Sequence, residues 1–437
     1  MTQVVSQERT SNYIRQVKGS AIYKGFAIAA SFLAIPLMIR YLGQEQYGVW
    51  STLMSIMSWV VFFDLGVGNG LRNKLAEALA KNQLSEAAAY VSSGYSWIGV
   101  LSLLLFAMIA MTAFFVPWQR VFNTQALSND LLRNAVLVAA FFVLLNFWLS
   151  LINQVLNAVQ KTSMTVLGQL IFNITALLLV FILSKTTDAS LLFLATGYGI
   201  SMVVANLILS LWFYAKHREL RPKPSFDRRN INPLLSVGLQ FFVIQCAVLV
   251  IFTTDKILIA QFFSPTHVTQ YDVVFKLFSI VSILHGLVTA PLWSSYTEAY
   301  HRGEMLWISS AIRKQLKILI NIVLATALVC VASKYIIFMW LGEEIEVSNW
   351  LILSMGLFVV ISTWNNVFAY VLNGIGEIKV QLITAVIAMF IHIPISFVLV
   401  KILHFGMHGI ILATCLSLSI FAVAGPIHVR SILRGQK

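Results

Sequence analysis

The stretch QYGVWSTLMSIMS at residues 46–58 returns, altered but recognisable, as QYDVVFKLFSIVS at 270–282. At a constant offset of 224, Gln46, Tyr47, Val49, Leu53, Ser55, Ile56 and Ser58 recur as Gln270, Tyr271, Val273, Leu277, Ser279, Ile280 and Ser282. Further on, Trp148 and VLN at 155–157 recur at an offset of 216 as Trp364 and VLN at 371–373. Lys185 and Lys401 keep that second offset. Matches that preserve their order mean that the chain carries one module twice.

Composition says what kind of module it is. Of 437 residues, 59% are hydrophobic and 11% charged, with a mean hydropathy of +0.83. A soluble domain carries roughly 25% charged residues. Apolar stretches near the ~20 residues needed to cross a bilayer lie at 20–39, 48–66, 90–115, 134–157, 165–184, 190–213, 234–256, 273–294, 317–341, 350–372, 380–400 and 408–428. The repeated residues fall in equivalent spans: two and eight, four and ten, five and eleven. The expected architecture is therefore an all-α polytopic membrane protein of twelve transmembrane helices in two parallel six-helix halves. Residues 1–214 and 234–437 form the halves, and the basic stretch 215–233 joins them. Parallel repeats related by an axis along the membrane normal suit alternating access.

The net charge of +13 encodes topology, with no nucleic-acid partner needed to explain it. With the N-terminus inside, the inner loops and tails hold 22 of the 30 Lys and Arg, including KHRELRPKPSFDRR at 216–229. The opposite loops hold only Arg40, Arg120, Arg133, Lys185, Lys334 and Lys401. The positive-inside rule then places both termini in the cytoplasm. The long polar head and the absence of a small-residue cleavage site argue against a removable signal. Cys246, Cys330 and Cys415 sit in apolar runs with neither disulfide nor metal-ligand spacing. LRNKLAEALAKNQ (71–83) places Leu71, Leu75 and Leu79 on one helical face, and EAYHRGEMLWISSAIRKQLK (298–317) stands at the equivalent point of the second half. Both read as cytoplasmic interfacial helices.

Four stretches together resemble a known family: RYLGQEQYGVW (40–50), FFDLGVGNGLRNKLA (62–76), DKILIAQFFSPTHVTQYDVVFKL (255–277) and NGIGEIKVQ (373–381). They are similar to the polysaccharide-transporter branch of the MOP superfamily, and within it to the O-antigen flippases of Wzx type. The resemblance implies a MOP/MATE-like fold in a bacterial inner membrane. It also implies a task, moving an undecaprenyl-diphosphate-linked oligosaccharide from the cytoplasmic to the periplasmic leaflet for O-antigen or related surface polysaccharide. Membrane lipids, a polysaccharide polymerase and a chain-length regulator are the implied partners. A sugar-diphosphate head cannot cross hydrocarbon unaided, because burying polar and charged groups there is costly. The competing readings are a MATE-like cation-coupled multidrug antiporter and, from another class, a membrane glycosyl polymerase or ligase. An antiporter would favour acids in its spans, whereas Lys24, Lys256 and Lys276 stand here against Asp255. An enzyme of that kind would use a large outer loop, but the longest is roughly 116–133, and no GxSxG, HExxH or phosphate-cradling Gly-rich loop occurs. No catalytic role or cofactor is expected, beyond coupling to protons or another ion.

Charges inside spans are functional candidates by default. At 100° per residue, Gln245, Asp255 and Lys256 fall about 140°, 60° and 160° from Gln240, all on one side of the seventh span. That polar arc suits a cavity-lining helix, with Lys256 placed to contact the substrate. The alternative is that Asp255 and Lys256 each pair with another helix and hold the halves together. Adjacent residues point about 100° apart and cannot pair face to face. Lys276 follows Asp272 in the favourable i,i+4 order, so a local ion pair competes with a substrate role. Lys24, at the inner start of span one, either snorkels to headgroups or meets the diphosphate. Arg40 and Glu45 flank the first outer loop, while Asp64 and Arg72 flank the inner end of span two. Gating ion pairs and loop anchoring are the two readings, and Arg72 is the candidate for the cytoplasmic entrance. His285 and His392 lie deep in spans eight and eleven, where imidazole could carry a coupling proton or simply pack. Pro36, Pro291 and Pro394 are placed to bend spans one, eight and eleven.

Overall fold

A computed structural model describes residues 2–64, 66–226, 246, 250, 253–289, 292–301, 303–342, 345–377 and 379–435. The chain divides into two compact units, Met1–Val243 and Ile244–Lys437. Every regular element among the described residues is helical. Gln240, Gln245 and Pro291 lie outside the described residues, as does most of the expected seventh span.

The first unit opens with α1, Thr2–Ser58, which carries Pro36 and is broken only at Gly43. With φ 76° and ψ 166°, Gly43 occupies a backbone region open essentially to glycine alone. Two expected spans are thus joined through a single residue. Nearby, Tyr41 Oη lies 2.8 Å from Thr187 Oγ1 and donates to the Asp188 carbonyl at 2.9 Å. A 3-10 turn, Trp59–Asp64, leads into α2, Val67–Ala80. The Gly68 N–H donates to Asp64 Oδ1 at 3.0 Å, satisfying an amide that the first turn of a helix leaves unpaired. Helix α2 buries Leu71 and Leu75 completely and exposes Glu77, as its amphipathic pattern requires. There Lys81 and Lys74 hydrogen-bond Glu77 and hold its carboxyl down at about 2.

The unit continues with α3 (Leu84–Thr112), α4 (Trp118–Phe122), α5 (Asn129–Leu149), α6 (Leu151–Ala158), α7 (Thr162–Thr186) and α8 (Leu191–Lys216). A short turn follows at Arg218–Leu220. Close packing of α5 on α8 depends on Gly199, where an added Cβ would fall 2.3 Å from Phe142 Cγ. Small residues that let backbones approach are the usual device of membrane bundles. After α8 the chain is tied to α3, with the Lys223 and Ser225 N–H groups donating to Ser92 Oγ (3.1 Å) and Ser96 Oγ (2.9 Å).

The second unit contains α9 (residues 253–262), α10 (Pro265–Thr289), α11 (Leu292–His301), α12 (Met305–Leu341), α13 (Asn349–Ile375), α14 (Lys379–Phe397) and α15 (His408–Gly435). Pro394 lies inside α14, and one wide π turn, Val398–Ile402, follows. The segment equivalent to α2 differs from expectation. Helix α11 stops at His301, Gly303 turns with φ 74°, and α12 then runs unbroken through 37 residues into its span. No separate interfacial helix covers 298–317 as a whole.

Among the described residues, nine helices are long and apolar enough to cross a membrane. The first two expected spans merge in this count as Gly19–Ser58, and the expected seventh and eighth spans run into residues outside the described set. Large apolar side chains such as Leu103, Val331 and Phe390 stand fully outward, as lipid-facing positions do. The two tryptophans matched in the sequence repeat both donate to backbone. Trp148 Nε1 donates to the Tyr95 carbonyl and Trp364 Nε1 to the Ala422 carbonyl, each at 2.9 Å. The acceptors belong to different neighbours, α3 in one unit and α15 in the other.

Candidate functional site

In the second unit a polar cluster is closed inside the helices. Asp255 on α9 is 3% exposed and His392 on α14 is 0% exposed. His392 Nε2 lies 3.1 Å from Asp255 Oδ1 and 3.0 Å from Thr414 Oγ1 on α15. Tyr271 Oη, from the repeated QY pair on α10, donates to Asp255 Oδ2 at 3.1 Å. Thr414 Oγ1 also reaches Asp255 Oδ2, at 3.2 Å. On the other side of the ring, His392 Nδ1 sits 3.4 Å from Thr254 Oγ1, whose hydrogen goes to the Val250 carbonyl. Each ring nitrogen therefore faces a side-chain oxygen. Ser396 Oγ donates to the His392 carbonyl at 2.8 Å.

Lys256, the neighbour of Asp255, forms an ion pair with Asp272 on α10. Each of the adjacent charges thus finds a partner on another helix, Asp255 on α10, α14 and α15 and Lys256 on α10. Lys276 lies half-buried one turn beyond Asp272. His285 is 1% exposed on α10, and its ring nitrogens meet no hydrogen-bond partner among the described residues.

The first unit holds a second polar cluster. Asn206 on α8 is its centre, accepting from Asn153 Nδ2 at 3.0 Å and donating to Asn146 Oδ1 at 2.7 Å. The three amides line a pocket of about 240 Å³ together with Gln169. Lys24 Nζ donates to Gln169 Oε1 at 2.9 Å, which brings an ammonium to the edge of the amide surface. None of these amides was singled out from sequence. Asn146 and Asn153 stand seven residues apart, two helical turns, so a shared face could have been read. The join between α5 and α6 at Ser150 interrupts that register.

The remaining candidates are spread out. Glu45 receives a hydrogen bond from Thr124 Oγ1, which ties the turn after α4 to α1. Asp64 caps α2 as described, and Arg40 and Arg72 are exposed. The structure does not gather these four into one constellation.

A chain of long apolar helices that carries polar clusters among its spans defines a multi-pass membrane transporter. The family model described as polysaccharide biosynthesis protein matches residues 19–297, and the MatE model matches residues 241–398. The chain belongs to the polysaccharide biosynthesis protein family and is a multi-pass protein of the bacterial inner membrane. Its relatives include a Salmonella typhimurium protein named "Putative O-antigen transporter", 24% identical over 83% of this chain and 84% of that one. A Yersinia pseudotuberculosis protein named "Putative O-antigen export protein" is 21% identical over 81% of both chains. In fold the chain is similar to an inward-facing multidrug resistance MATE family transporter of the MOP superfamily. That match has a TM-score of 0.78, with 94% of this chain and 95% of that one covered at 16% identity.

Proposed function

We propose that the protein carries an undecaprenyl-diphosphate-linked oligosaccharide from the cytoplasmic to the periplasmic leaflet, by alternating access of two six-span halves with both termini cytoplasmic. The observation that carries this reading is the pocket of the first unit, where Lys24 stands beside Gln169, Asn146, Asn153 and Asn206. Amides offer donors and acceptors to sugar hydroxyls, and an ammonium suits a diphosphate oxygen. The names of the relatives and the bias of basic residues to one set of loops support the same reading. Such a carrier would hand its cargo to a polymerase and a chain-length regulator and would itself perform no bond chemistry.

In this reading the coupling ion is a proton held at His392 beside Asp255, since that ring has a side-chain oxygen facing each nitrogen. The MatE match and the MATE-like fold favour a second reading, a cation-coupled drug antiporter. Reconstituted vesicles distinguish the two. Wild-type protein should move a fluorescent undecaprenyl-diphosphate oligosaccharide to the outer leaflet, and Lys24→Ala or Asn206→Leu should slow it. Proton-driven ethidium efflux with no movement of the lipid-linked sugar would establish the antiporter instead.

A further inference from the structure

At the end of the first unit that carries α2 and the basic stretch after α8, two lysines converge on one indole. Lys161, in the turn between α6 and α7, holds its Nζ 5.2 Å from the centre of the Trp212 ring. Lys216, the last residue of α8, holds its Nζ 4.9 Å from the same centre. Cation–π attraction explains why each ammonium goes there. It does not explain why both share one ring, since like charges so placed repel. The effect reaches Lys161 itself, whose pKa is pushed below the ordinary lysine value, first by burial and then by the charge of Lys216.

No acid of this segment neutralises the pair. Glu219, the one carboxylate between residues 216 and 226, is engaged with His217 Nδ1 at 3.4 Å. The other nitrogen of that ring faces Lys161 Nζ, also at 3.4 Å, and the ring stacks on Phe213 at 4.5 Å. Arg218, Arg221 and Lys223 add to the positive charge, and Arg221 is turned to the Tyr214 carbonyl. Away from the lysines, α8 presents Leu207, Ile208 and Leu211, which are 42%, 45% and 64% exposed. A cationic head position therefore leads directly onto an outward apolar surface, with a tryptophan at the junction. Tryptophan favours that level of a membrane.

We propose that Lys161, Lys216 and Trp212 form a binding site for the phosphate of an anionic phospholipid, whose acyl chains lie along Leu207, Ile208 and Leu211. Phosphate oxygens accept from both ammonium groups at once and remove the repulsion between them. Juxtamembrane lysines gain affinity for anionic lipid in the same way, but here the pair is fixed by ring contacts and a half-buried histidine neighbour. The diphosphate of a lipid-linked sugar offers the same oxygens, so the test separates the two sources. The site requires only that this end of the unit meet a bilayer surface, and it stands whether or not the transport proposal does.

The experiment is native mass spectrometry of the full-length protein in detergent with phosphatidylglycerol, phosphatidylcholine or undecaprenyl diphosphate added. Wild type should retain phosphatidylglycerol over phosphatidylcholine, and Lys161→Ala/Lys216→Ala should bind it about thirtyfold more weakly. Lys161→Arg/Lys216→Arg should keep the binding, which separates charge from misfolding. Lys216→Glu alone, at an exposed position, provides a second variant with the same expected direction. Loss of phosphatidylglycerol alone identifies a bilayer lipid, and loss of undecaprenyl diphosphate alone identifies the cargo head. Unchanged binding of both in the double alanine variant would overturn the site.

Discussion

His392 Nε2 and Asp255 Oδ1 lie 3.1 Å apart in a space that solvent does not reach. Neither group can be removed alone without leaving the other, with Thr414 and Tyr271, partly unsatisfied. Leaving a buried polar partner unsatisfied costs about 1–3 kcal/mol, and more if the group is charged. Asp255→Ala should therefore lower the unfolding midpoint strongly, and Asp255→Ala/His392→Ala should lower it by much less than the sum of the single changes. Strictly additive costs would show that the two side chains are not coupled.

Lys256→Ala should abolish surface polysaccharide while protein abundance stays normal. Lys256 is paired with Asp272, so Lys256→Arg should retain part of the activity by preserving that pair. Wild-type polysaccharide in the alanine variant would remove this lysine from the transport mechanism.

Gly43→Ala forces a side chain into φ 76°, ψ 166° and should cost about 1–3 kcal/mol. A thermal-shift measurement reads this directly, with Gly25→Ala as a control, because a Cβ there meets nothing within 4 Å. Equal midpoints for the two variants would mean that the break at residue 43 tolerates side chains.

The pH response of α2 has a definite sign. The Glu77 carboxyl is held down at about 2 by Lys81 and Lys74, against an ordinary value of 4.5. A depressed carboxylate contributes stability above its unfolded value, and that contribution is lost as pH falls through the folded one. Glu77 should thus remain charged at pH 3, and raised salt should bring its titration back toward 4.5. Carboxyl chemical shifts measured between pH 1.5 and 6 check it.

Cysteine placed at Ser225 should react with a membrane-impermeant thiol reagent only when the cytoplasmic face is open. The substitution spares the local fold, because it is the Ser225 N–H, not its hydroxyl, that binds Ser96. Labelling from the periplasm would reverse the proposed orientation.

Much of the fold was legible because apolar length and charge bias are properties of single segments. Spans three to six and nine to twelve needed nothing beyond hydropathy, and the amphipathic face of Leu71 and Leu75 predicted their burial. The sites were harder, since their partners lie far along the chain. Thr414 meets Asp255 across 159 residues, and no helical wheel of one span can show that. The wheel that placed Asp255 and Lys256 on one arc described α9 alone and was silent about α10, α14 and α15. Adjacency did carry one useful conclusion, that the two charges need separate partners. The Asn146, Asn153 and Asn206 cluster escaped because isolated asparagines in apolar runs draw little notice, and α8 supplies the one that joins the other two.

The bond made by Tyr271 of the repeated QY pair bears on the duplication itself. At the repeat offsets, Asp255, His392 and Thr414 correspond to Ser31, Ala176 and Tyr198 in the first half. In the other direction, Asn146, Asn153 and Asn206 correspond to Ser362, Ala369 and Ala422. If the sequence repeat reflects two equivalent halves, a chain made from two first halves would lack the buried acid. One made from two second halves would lack the amides. On that basis the repeat gives the two polar clusters no counterpart in each other's half.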